Sequence, residues 1–88
     1  MDFATVLVKK PGSLAWEDQG KHGFASFPRQ GEYIEINREE TPILFKVVAF
    51  KHPLDPGNGQ VHSFNSGEIY AVEVGRSADV LNELFENV

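Results

Sequence analysis

Ile43-Leu44-Phe45-Lys46-Val47-Val48-Ala49-Phe50-Lys51 is the stretch whose reading decides the fold. β-Branched and aromatic side chains dominate it, which predicts a strand. Under strict alternation Leu44, Val48 and Phe50 fall on one face, and Phe45, Val47 and Ala49 on the other. A strand wetted on one side does not carry apolar residues on both faces, so both faces are expected to be covered, by a helix or by a second subunit.

Downstream, Glu68-Ile69-Tyr70-Ala71-Val72-Glu73-Val74 repeats this double-faced character and ends at Gly75. Upstream, Glu32-Tyr33-Ile34-Glu35-Ile36 alternates cleanly after the turn cluster Pro28-Arg29-Gln30-Gly31. Asn37 to Pro42 is polar and ends in proline, so a break and a hairpin are expected there. Phe3 to Lys9 predicts a first strand, stopped by Lys10-Pro11-Gly12. The weakly patterned Ser13 to Gly23 predicts an excursion between strands, with one helical turn or a short strand near Phe24 as options. His52 to Gly67 predicts a long loop, and loops of that length are commonly functional.

At the C-terminus Ser77 suits an N-cap and Asp79 the first helical turn. Val80, Leu81, Leu84, Phe85 and Val88 recur at helical spacing, predicting an amphipathic helix over about 77–87. The 88 residues support one hydrophobic core and one domain, 1–88, and no internal repeat appears. The expected fold is mainly β (or α+β): a strongly curved antiparallel sheet or SH3-like half-open barrel with a C-terminal amphipathic helix. Ile34, Ile36, Val47 and Val72 are expected inside, and a flat sheet crossed by the helix is the competing arrangement.

The chain has no cysteine, which removes disulfides, thiolate metal sites and cysteine nucleophiles. A formal net charge of −5, with basic residues scattered along the chain, makes nucleic acid a disfavoured partner. No membrane-spanning run and no secretory leader are read from the residues, so a cytoplasmic location is the expectation.

No Gly-x-Ser-x-Gly elbow, phosphate-binding glycine loop or HExxH spacing is present, so no catalytic residue, metal ligand set or cofactor is assigned. Trp16 and Phe64, aromatics in irregular polar surroundings, are the candidate contacts for a ligand or partner, together with the loop histidines His52 and His62. The stripe Val80, Leu81, Leu84 and Phe85 either docks on the chain's own sheet or forms a two-fold interface. His52, Asp55 and His62 combine imidazole and carboxylate, a pairing that suits a divalent metal.

In style, PRQGEYIEI (28–36), LFKVVAFKH (44–52) and IYAVEV (69–74) resemble small uncharacterised bacterial proteins, including those of integron gene cassettes. The resemblance covers Pro28 to Val74 as a strand pattern and implies a bacterial, mobile-element origin, without an activity or a functional residue. The leading functional expectation is a non-enzymatic binding or protein-interaction module, homodimeric, taking a small apolar ligand or a protein partner. A small metal-dependent enzyme using His52, Asp55 and His62 is the alternative, and an SH3-like nucleic-acid binder the second alternative.

Overall fold

A computed structural model describes residues 2–52 and 67–86. Among these residues five strands, β1 (Asp2–Lys9), β2 (Glu17–Phe24), β3 (Tyr33–Arg38), β4 (Thr41–Lys51) and β5 (Glu68–Arg76), precede one helix, α1 (Ser77–Glu86). They form a single sheet in the order β2-β1-β5-β4-β3. Three pairings are antiparallel, as expected, whereas β1 and β5 run parallel, with Thr5 beside Glu68 and Lys9 beside Val72.

The sheet curls into a half-barrel. In a flat five-stranded sheet the edge strands would lie roughly 19 Å apart, four strand spacings. Here Arg38 on edge strand β3 reaches Glu17 on edge strand β2, Nη2 to Oε2, at 3.3 Å. The inner face mixes large and small side chains, with Phe45 and Ile69 the largest of those fully buried. Ala4, Val6, Val8, Phe45, Val47, Ile69 and Ala71 are buried, and Phe24, Phe27, Ile34, Ile36, Ile43 and Phe50 pack around them.

Two bulges explain why simple alternation misplaces side chains. On β4 the register with β5 shifts between Val47 and Ala49, leaving Val48 as the extra residue. Such an insertion reverses the facing of everything beyond it. Phe50, expected beside Leu44, therefore lies opposite Ile69 on the core side, while Ala49 turns to the exposed side. On β5 the shift between the partners of Leu44 and Phe45 leaves Val74 as the extra residue, exposed like Val48. Val72, expected inside, lies on the outer face between Lys46 and Lys9; Ala71 holds the inner position.

Two further expectations are corrected. The Ser13 to Gly23 excursion contains strand β2, held by its ladder with β1 although its sequence has little apolar character. Proline does not break the chain at position 42: Pro42 lies inside β4 opposite Asn37. The β3–β4 hairpin turns in only two residues, Glu39 and Glu40, both left-handed at φ 49° and 66°. That is the signature of a type I′ turn, where Asn-Gly is the favoured pair and side chains such as Glu are strained. Replacing Glu39-Glu40 with Asn-Gly is expected to stabilise the fold by about 1 kcal/mol and raise Tm by roughly 4–8 °C. Thermal unfolding followed by circular dichroism checks this, and an unchanged midpoint would show the turn to be unstrained.

α1 begins directly at the end of β5 and lies on the outer face. Val80 rests over Gly75, where an added Cβ would sit 3.5 Å from Val80 Cγ2, and Gly75 pairs with the buried Leu44. The Ser77 hydroxyl donates to Glu35 Oε1 at 2.7 Å, tying the helix start to β3. No described helix is long and apolar enough to cross a membrane.

Candidate functional site

The curl leaves a seam between the two edge strands. At one end Arg38 closes it: its Nη1 and Nη2 both donate to Glu17 Oε2 at 3.3 Å, and the guanidinium lies 5.5 Å from the centre of the Phe45 ring. At the other end the seam opens into a cavity of about 410 Å³. Val6, Phe24, Ile34 and Ile36 give it an apolar floor, with Gln19 and His22 at the β2 rim and Glu35 and Asn37 at the β3 rim.

Local sequence builds the rim. Gln19 and Gly20 are the residues by which β2 bulges against β1, and Gly20 sits at φ +85°, a left-handed conformation that favours glycine. Asp18 Oδ1 accepts from the Gly20 N–H at 2.7 Å, and His22 Nε2 donates to the Gln19 carbonyl at 2.8 Å. The His22 ring is thereby held at the opening. A file of aromatic rings continues past the floor: Phe24 to Phe27 at 6.0 Å, Phe27 to Phe50 at 4.6 Å and Phe50 to His52 at 4.2 Å between centroids. A shallower hollow of about 370 Å³ lies beside Phe27, Arg29, Phe50 and His52.

Of the residues singled out in the sequence, Trp16 is 37% exposed on the outer face. Its ring meets Tyr70 edge-on at 5.0 Å, and Lys9 Nζ stands 5.1 Å from its centroid. His52 lies away from Trp16, against Phe50 at the end of the aromatic file, so the structure does not bring these two together at one opening. Phe64, His62 and Asp55 lie outside the described residues. Among the described residues no group of three or more His, Asp and Glu is placed to hold a metal ion.

The helix stripe divides unequally. Val80 is buried, whereas Leu81, Leu84 and Phe85 are 43%, 45% and 72% exposed. Among the described residues Arg38 is engaged by Glu17, Lys51 by Glu68 and Arg76 by Asp79. The seam itself escaped the sequence reading. Ile34, Ile36 and Phe24 are recognisable as apolar, but only the curl shows that they floor an opening rather than a closed core.

No protein-family model, curated protein sequence or solved structure matches this chain. The functional reading therefore rests on the geometry of the seam and of the helix.

Proposed function

We propose that this domain is a non-enzymatic binding module whose ligand occupies the open end of the seam. The carrying observation is the cavity floored by Val6, Phe24, Ile34 and Ile36 and rimmed by Gln19, His22, Glu35 and Asn37. Ligand sites commonly combine an apolar floor with a few fixed polar groups, the first giving affinity and the second orientation. A cavity of about 410 Å³ is within the size range of small-molecule sites.

An anilinonaphthalene sulfonate probe tests this directly. One saturable site is expected, weakened about tenfold or more by Ile36→Arg, since a buried isoleucine-sized contact contributes roughly 1.5–3 kcal/mol. Circular dichroism of the variant is expected to match the parent chain. Equal probe affinity for both proteins, with the fold intact, would overturn the assignment.

Self-association is a second reading, favoured by the exposed Leu81, Leu84 and Phe85 on a helix that buries only Ser77 and Val80 against its own chain. Two copies packing these stripes about a two-fold axis would remove them from water. Light scattering over a dilution series is expected to show a dimer that Leu84→Arg converts to monomer. A parent chain monomeric at every concentration would remove this reading and leave the seam untouched.

A further inference from the structure

The two edges of the seam are chemically unequal. In the β3–β4 hairpin Arg38 pairs with Thr41 across a two-residue turn, so Arg38, Ile36 and Ile34 direct their backbone groups toward β4. The Val47 N–H donating to the Glu32 carbonyl at 2.8 Å continues this phase one step beyond the strand. The N–H and C=O groups of Tyr33, Glu35 and Asn37 consequently point away from β4, into the seam. β3 is an edge strand among the described residues and carries no proline, glycine or bulge, the devices that blunt an edge. β2 has them: a bulge at Gln19-Gly20 and a second glycine at Gly23.

We propose that the seam's ligand is an extended basic peptide that adds to β3 as a sixth strand; this rests on the seam being the binding site. Hydrogen bonds from Glu35 and Asn37 give the peptide its register, and its alternate side chains point inward to Ile34, Ile36 and Phe24. The side chains between them stand beside Glu35 on the outer face. Charge selects their sign: Glu32, Glu35, Glu39 and Glu40 line β3 and its ends, the strand's one arginine is engaged by Glu17, and the chain carries −5 overall.

The acidic balance of the chain, −5 overall, disfavours a second copy as the occupant of an edge lined by Glu32 and Glu35. A single inserted strand needs β2 and β3 roughly 10 Å apart, two strand spacings. The direct Arg38–Glu17 contact keeps the edges within reach of one arginine and one glutamate side chain. A free segment of another protein, alternating apolar and basic residues, fits that opening.

The probe is a capped hexapeptide of alternating lysine and valine, titrated by calorimetry with amide hydrogen exchange read in parallel. Binding is expected to slow exchange at Glu35 and Asn37 by at least about tenfold at saturation, with Ile34 and Ile36 changed far less. A block peptide of three lysines followed by three valines, an alternating glutamate–valine peptide, and the lysine–valine peptide N-methylated at its central lysine are each expected to bind at least about tenfold more weakly. Equal binding of the block or N-methylated peptide would overturn strand addition. If no peptide binds while the naphthalene probe still occupies the seam, the peptide inference fails and the binding-module reading survives; if neither binds, both fail.

Discussion

Phe45→Ala is expected to destabilise the protein by about 3–5 kcal/mol, a large part of the stability available to a domain of this size. Phe45 is 1% exposed and is among the largest fully buried side chains described, lying on the inner face opposite Glu73 of β5 and Ile34 of β3. Its removal opens a hole under the middle of the curl. The Arg38 guanidinium, 5.5 Å from the ring centre, also loses the surface on which it lies when it reaches Glu17. Thermal unfolding followed by Trp16 fluorescence gives the measurement, and Tm is expected to fall by roughly 12–40 °C. Phe85→Ala is the control: at 72% exposure it is expected to cost less than about 0.5 kcal/mol to the monomer. Equal losses at the two positions would mean that the core does not lie where the curl places it.

Gly67→Ala is expected to be nearly as damaging, for a reason of space rather than lost contact. Gly67 has φ +102°, a conformation L-residues rarely adopt. An added Cβ would stand 2.6 Å from the Lys51 carbonyl oxygen and 3.0 Å from Phe50 Cε1. The carbonyl belongs to the β4 backbone and cannot swing aside as a long side chain can. The Gly67 carbonyl also accepts from the Thr5 N–H at 3.0 Å, at the start of the β1–β5 pairing, so a shift there loosens three strands together. Strain and crowding together are expected to cost about 2–5 kcal/mol. Gly31→Ala has a similar φ of +91° but no atom within 4 Å of the added Cβ, and is expected to lose only about 1 kcal/mol. Thermal unfolding of the two variants side by side checks the difference, and equal midpoints would contradict the crowding argument.

Much of the architecture was readable because apolar patterning marks elements that bury a face. β1, β4, β5 and the helix start all announce themselves in this way, and so does the alternation of β3. β2 does not, since Glu17-Asp18-Gln19-Gly20-Lys21-His22-Gly23-Phe24 is strand only because β1 offers it a ladder. The parallel β1–β5 pairing is likewise a product of tertiary assembly that neither strand encodes locally. Phe50 and Val72 went astray for different reasons: a bulge at Val48 reversed one, and Glu73, which alternation places at the inner rim, obscured the facing of the other. Trp16 and His52 were chosen for their irregular surroundings. The seam depends instead on where the two edges end up after the sheet curls, which no local pattern records.

The strand order also constrains how the chain is made. β1 sits between β2, which follows it directly, and β5, which comes from the far end of the sequence. A β1–β2 hairpin can form as soon as both have been synthesised, and a β3–β4 hairpin after it, but the two halves have no shared ladder until β5 enters between β1 and β4. Closure of the sheet must therefore wait for β5, and the loop closed by the β1–β5 pairing makes that step slow relative to either hairpin. Until then β1 and β4 each show a bare apolar edge, so a chain stalled on the ribosome before β5 emerges is the form of this protein most exposed to aggregation.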